Sequence, residues 1–324
     1  MLRVAALALL ALSVLLLAID APGPTWREFW FLGLILLVTV VTRAEGVGAA
    51  LSALGLGLGL VTAAMIGAGH VLDLAGIDTS SGIGNWGLIP LLEESLKLAP
   101  VALVAWLHRR RTGLDANPSD LLMLGCFAGA GFALAENALL VRDNAGIARD
   151  MARQYGPHLG PFYLVPGAWG AAGYVGHAAA TGLVSATYGL GLALRRRLGP
   201  TWWMVPAAGF GWIVIEHVLT NFYVGGGSEA ALMLGNGRLT PWIFVLVAIA
   251  VVVLDGMRGA AVLTHSRTLS LRARMVRAAL LRRRPPHPRS RFAGRQVLGA
   301  VLREVNATAW VVRDDLRFTG RKTS

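Results

Sequence analysis

At 324 residues the chain is long enough for two soluble domains, yet 55% of it is Ala, Val, Ile, Leu, Met, Phe, Trp, Tyr or Cys and only 15% is charged. Soluble domains run near about 25% charged, so a mean hydropathy of +0.58 leaves too few polar side chains to cover a water-exposed surface. These values exclude a soluble protein and a largely disordered chain, and the single Cys126 excludes a disulfide scaffold.

The net charge of +12 is unevenly placed. From Arg258 onward sixteen Lys and Arg face three Asp and Glu, whereas residues 1–257 hold fourteen basic and fifteen acidic groups. The chain therefore divides into an apolar bundle, 1–257, and a basic tail, 258–324. Such a tail is expected on the cytoplasmic leaflet, where anionic lipid attracts Lys and Arg. Nucleic acid is the alternative partner, but the tail carries no recognition motif and none is expected to bind.

Apolar runs predict eight helices, at about 4–19, 26–42, 47–70, 84–107, 120–141, 165–193, 202–224 and 240–257. The expected fold is all-α, a polytopic membrane bundle of about eight transmembrane helices. The first run is either a retained helix or a signal peptide with Arg3 as its basic start. Its end, Leu-Ala-Ile-Asp-Ala, lacks a small-x-small cleavage site and favours the helix. Arg109–Arg111 follow the fourth run, Arg195–Arg197 the sixth, and the basic tail the eighth; the intervening loops are acidic or nearly balanced. By the positive-inside rule both termini are cytoplasmic. The longest external loop, about 142–164, is punctuated by Gly156, Pro157, Gly160 and Pro161 and is expected to cap the outer surface.

Ionisable groups are costly inside a bilayer and mark functional positions. The fourth run reads Pro90-Leu-Leu-Glu93-Glu94-Ser-Leu-Lys97 and the fifth reads Gly131-Phe132-Ala-Leu-Ala-Glu136-Asn137. The sixth places His177 in a stripe of small residues with Gly173 and Thr181, and the seventh reads Glu216-His217-Val-Leu-Thr-Asn221. Glu93 and Lys97, four apart, share a helix face, so Lys97 is expected to neutralise one carboxylate of the pair. Of two adjacent carboxylates in low dielectric, one is expected to stay poised as a base. His217 and Asn221 likewise share a face, while Glu216 points about 100° away and reads as structural or interfacial. Trp202 and Trp203 read as an interfacial belt, and His108 as a surface residue. Although the helices alternate in direction, a rise of about 1.5 Å per residue puts Glu93, Glu94, Glu136, His177 and His217 between the outer face and about the midplane.

These motifs resemble, in order, those of the PrsW family: Glu93-Glu94-x-x-Lys97, Phe132-x-x-x-Glu136-Asn137, an isolated His177, and His217-x-x-x-Asn221. The family resembles glutamic-type intramembrane proteases and is distantly similar to the CAAX-protease and bacteriocin-processing family; the likeness covers roughly 84–224. It implies that Glu93 and Glu94 activate water with help from His177 and His217, with Lys97, Phe132, Glu136, Asn137 and Asn221 in support. It also implies a multi-pass protein of the bacterial cytoplasmic membrane that acts on single-span proteins such as anti-sigma factors.

Peptide hydrolysis needs an activated water and donors for the developing oxyanion. A Glu93 or Glu94 base, with His217 and Asn221 as donors, meets both needs, and His177 is placed to orient the water or to protonate the leaving amine. Members of the family are often labelled metalloproteases, but no His-Glu-x-x-His motif is present. No cofactor is expected; the alternative is zinc on His177, His217 and Glu94. Two other functions use similar residues: a proton-coupled transporter, which would line both halves of a path, and a non-catalytic scaffold or sensor. The positions of the Glu pair and the histidines predict a cut near the external membrane face. In the tail, Leu269-Ser-Leu-Arg272-Ala-Arg274-Met-Val-Arg277 predicts an amphipathic surface helix that ends before Pro285-Pro286.

Overall fold

A computed structural model describes residues 13–14, 22–79, 82–112, 115–143, 175–224 and 239–265. The rest of the predicted first span, residues 144–164 of the external loop, Gly173 and the tail beyond His265 lie outside the described residues. Every regular element among the described residues is helical. In chain order these are α1 (Pro22–Val38), α2 (Val47–Leu74), α3 (Ile89–Leu96), α4 (Leu98–Thr112), α5 (Pro118–Asp143), α6 (His177–Leu198), α7 (Met204–Val224) and α8 (Thr240–His265).

Three stretches are each long and apolar enough to cross a membrane by length and composition: Val47–Leu74, Pro118–Leu139 and Thr240–Arg258. The apolar stretch of α1, Glu28–Val38, is shorter, and α6 and α7 together form a pair bent by 108°. The starts of the predicted third, fifth, seventh and eighth runs are met within a few residues, but two runs depart. The sixth, predicted from 165, is not helical at Val175 and Gly176, whose φ of 90° departs from the helix. Helix α6 therefore begins at His177, and that residue stands at a helix start rather than deep within a span; residues 165–174 lie outside the described residues. The fourth run is broken: a π-helical turn, Gly84–Leu88, leads into the eight-residue α3, and the helix is interrupted at Lys97 before α4. Proline explains the second break, since Pro100 has no N–H to give and its ring crowds the carbonyl four residues back, at Leu96. Pro90 similarly withholds a donor where the wide turn ends.

The antiparallel pair α5 and α6 forms the centre. A Cβ on Gly129 would run into the backbone carbonyl of His177, and one on Gly125 would meet the Thr181 carbonyl and the Ser185 side chain. Small residues thus bring the two backbones close, which places His177 directly against α5. Around this pair α2 packs at Leu54 and Gly57, α1 and α8 meet through Phe31 and Phe244 at 5.7 Å, and α7 covers α6. One end of the bundle gathers exposed Arg109, Arg110 and Arg195–Arg197 together with Arg258, whose guanidinium donates to the Ala193 carbonyl at 2.9 Å. The opposite end gathers α3, the second half of α5, the start of α6 and the later turns of α7.

Candidate active site

Four elements bring their polar side chains together at the end opposite the arginines. Short α3 contributes Glu93, Glu94 and, at its break, Lys97; all three are buried, and Lys97 is 0% exposed. From α5 come Phe132 and Glu136, α6 begins with His177, and α7 adds His217. The chain reaches His177 through Gly176, whose φ of 90° and ψ of 148° are closed to most L side chains.

Lys97 is the hub. Its Nζ donates to Glu94 Oε1 at 2.6 Å and lies 2.6 Å from His177 Nδ1. The lysine therefore pairs with Glu94, three residues back, and not with Glu93 four back as the spacing predicts. The helix breaks at Lys97 itself, and His177 draws the ammonium toward α6. Since Lys97 is a donor, His177 Nδ1 accepts, which leaves its Nε2–H to donate to Glu136 Oε2 at 2.5 Å. Phe132 stands edge-on to the His177 ring, with centroids 5.0 Å apart, and its face receives the Lys97 ammonium at 5.3 Å.

The second histidine completes the group. His217 Nδ1 lies 2.9 Å from Glu94 Oε1 and its Nε2 lies 3.7 Å from Glu93 Oε2. Glu94 accepts from Nδ1–H, so the Nε2 lone pair faces Glu93. The two imidazoles lie 5.6 Å apart. Glu94 Oε1 thus accepts from two donors, whereas Glu93 Oε2 is buried and has no hydrogen-bond partner among the described residues. An orphaned buried carboxylate oxygen costs free energy and is a place for a ligand. Glu136, with 30% of its side chain exposed, is the most accessible of these carboxylates.

Two predicted supporting residues stay at the margin. Asn221 lies one turn beyond His217, and its Nδ2 reaches the Asn85 carbonyl at 3.5 Å, the far limit of a hydrogen bond. Nearby, Trp86 and Phe222 pack edge to face at 5.3 Å. Asn137 is half-buried beside Glu136. Glu216, adjacent to His217, is buried on another side of α7. His108 is a correction: it is partly buried and paired with Glu45 rather than free on the surface. Its partner lies in the turn before α2, some sixty positions away, which helix spacing does not reveal.

Glu93, Glu94 and His177 are the group among the described residues that can offer three ligand atoms to a metal, all within 4.8 Å of one another. The donor types suit zinc, and Glu93 stands where the sequence suggests His217. The arrangement does not suit it. The Lys97 ammonium already lies 2.6 Å from Glu94 Oε1 and from His177 Nδ1, and Glu136 engages the other His177 nitrogen. The cation that this donor set faces is the chain's own lysine.

No curated protein and no solved structure matches the chain. A comparison with protein families matches residues 45–255 to the PrsW family of intramembrane metalloproteases. That span reaches from the turn before α2 into α8 and includes every residue of the buried group. The chain belongs to the PrsW family and is an intramembrane protease.

Proposed function

We propose that the chain hydrolyses peptide bonds of membrane-anchored proteins with a water activated by Glu93. The observation that carries this reading is the unequal wiring of the two glutamates. Glu94 is engaged by Lys97 and His217, while Glu93 Oε2 has no hydrogen bond among the described residues and lies 3.7 Å from His217 Nε2. One water can donate to both acceptors and present its own lone pair to a substrate carbonyl. Glu93 takes the water proton as the C–O bond forms and the carbonyl π pair moves onto oxygen. When the C–N bond breaks, the leaving amine takes that proton back. Glu94 and Lys97 hold His217 in the tautomer this step requires, and Lys97 with Glu136 does the same for His177. Asn221, whose Nδ2 makes a long 3.5 Å contact with the Asn85 carbonyl, is the donor proposed for the oxyanion. No step needs a metal.

The site lies at the end away from the arginines, which positive-inside reasoning assigns to the exterior, with both termini and the basic tail on the cytoplasmic leaflet of a bacterial membrane. A substrate must present extended backbone, because a helix hides its carbonyls in its own hydrogen bonds. A single-span protein, anti-sigma-factor-like, cut just outside the bilayer fits those constraints. The test is cleavage of a single-span reporter in detergent, with the new N-terminus sequenced. Glu93→Gln is expected to lower the rate at least about 10²-fold while the protein stays folded, chelation is expected to leave the rate intact, and the cut is expected on the external side. A wild-type rate in Glu93→Gln refutes the base. Loss of activity on chelation, restored by added zinc, refutes the metal-free step, and a cytoplasmic cut refutes the orientation.

A further inference from the structure

Of the three carboxylates in the buried group, Glu136 faces outward: 30% of its side chain is exposed, against 8% for Glu93 and 1% for Glu94. Its Oε2 accepts the His177 Nε2–H at 2.5 Å. His177 also offers a nitrogen within 4.8 Å of an oxygen of Glu93 and of Glu94. Glu136 therefore stands one imidazole ring away from the place given to the attacking water.

The group is short of positive charge. With both histidines in the neutral tautomers that their bonds require, three carboxylates share one ammonium, and Lys97 is committed to Glu94 and His177. The shortage shows at Glu93 Oε2, which is buried with no hydrogen-bond partner among the described residues. Uncompensated negative charge is costly in a low-dielectric interior, and an entering cation offsets that cost. Glu93 and Glu94 are closed off, so the carboxylate that such a cation meets first is Glu136.

We propose that Glu136 is a specificity-determining residue that receives a Lys or Arg side chain of the substrate close to the scissile bond. The inference rests on the proteolytic reading of the site and narrows its substrate class to segments with a basic residue beside the cut. An extended chain advances about 3.3 Å per residue. A side chain that reaches past one imidazole ring to Glu136 therefore starts within about two residues of the bond that breaks. A neutral side chain at that position leaves the negative charge uncompensated, and an acidic one adds to it. The bond from Glu136 to His177 is a separate duty: losing it slows every substrate in equal proportion, whereas a substrate contact changes the ratio between substrates.

The experiment uses the full-length chain in detergent and single-span reporters that carry Lys, Arg, Leu or Glu at each of the two positions on either side of the cut. At one of these positions, kcat/KM with Lys or Arg is expected to exceed that with Leu by about 10- to 100-fold, the range of a charge-assisted hydrogen bond. Glu is expected to fall below Leu. Glu136→Gln keeps an oxygen for His177 and removes the charge, so its Lys-to-Leu ratio is expected to drop to within about threefold of unity. Equal rates for Lys and Leu at every position in wild type overturn the proposal without recourse to a variant, as does a Lys preference that survives in Glu136→Gln. If Glu136→Gln does not fold, the wild-type ratio at rising salt decides: a ratio that shrinks supports the contact, and one that stays constant overturns it. A wild type no faster than Glu93→Gln overturns the proteolytic reading instead. In that case binding of the same reporters decides the contact: tighter binding of Lys than of Leu supports it, and equal binding overturns it.

Discussion

Two buried polar clusters lie along α5, one at each end, and they are wired differently. At the basic end, Asp120 Oδ1 accepts the backbone N–H of Ala44 at 2.9 Å and of Glu45 at 2.8 Å. Asn117 and Asp120 cap each other's backbone, Asn117 Nδ2 donates to the Thr42 carbonyl, and the Ser119 N–H donates to Asp255. Almost every bond there has a main-chain partner, and it satisfies a helix start or an interhelical turn. At the other end Glu93, Glu94, Lys97, Glu136, His177 and His217 bond to one another through side chains, and one acceptor is left over. Both clusters are buried and both contain carboxylates, so burial alone does not separate glue from chemistry. The partner type does: backbone partners are fixed by the fold, whereas side-chain partners can exchange protons and admit a substrate.

The sharpest test of that contrast is a pair of variants with opposite signatures. Asp120→Ala strands the Ala44 and Glu45 N–H groups and is expected to cost about 3 kcal/mol of stability, while the fraction that remains folded cleaves at the wild-type rate. Glu93→Gln is expected to cleave at least about 10²-fold more slowly with its melting midpoint unchanged. Thermal melts in detergent beside cleavage rates read both effects. If Asp120→Ala lowers kcat in the folded fraction, the basic end is part of the catalytic machinery and the contrast fails.

Much of this division was legible in the sequence. Four motifs at helix spacings placed the site groups in one layer, and the small-residue stripe around His177 is realised where Gly129 meets the His177 carbonyl. What spacing hid is every consequence of a broken helix. Lys97 turns from Glu93 to Glu94 because the helix is interrupted at that residue. Glu216 does point away from His217, as the helical angle requires, but periodicity gives no hint that Thr240 waits on that side. Asp120 and Asn117 passed unnoticed because acidic and amide residues before an apolar run read as ordinary loop. Their partners, Ala44 and Glu45, lie more than seventy positions upstream.

An intermediate effect is expected where the α5–α6 contact carries one cluster toward the other. Gly129→Ala places a methyl group on the His177 carbonyl, so the helices must separate. Overpacking of this kind costs about 1–3 kcal/mol. Because His177 is the residue displaced, kcat is expected to fall by more than the loss of folded protein accounts for. Gly129→Ala with wild-type kcat per folded molecule shows that the site tolerates a wider α5–α6 spacing and that the stripe serves packing alone.

The smallest effect belongs to the basic end and concerns pH. The Glu45 carboxylate, hydrogen-bonded to His108, raises the imidazole above its ordinary value of 6.5, against the opposing pull of partial burial. Asp120 and Asp115 add to the rise. A histidine whose pKa is higher in the folded state than in the unfolded chain stabilises the fold fully below the ordinary value. That contribution fades as pH climbs through the raised one. The side chains of the pair are 11% and 15% exposed, and solvent screening at the membrane edge holds the gain to about 1 kcal/mol or less. Wild type is therefore expected to lose melting temperature relative to His108→Gln as pH rises from below the ordinary value of 6.5 through the raised one, and Glu45→Gln is expected to flatten the difference. Because this pair sits at the opposite end of α5 from the glutamates, kcat per folded molecule is expected to follow the same pH curve in all three proteins. Parallel melting curves remove the pair as a source of stability. A kcat profile that shifts with His108 shows instead that the two ends of α5 are coupled, and that the basic cluster does more than hold the helices together.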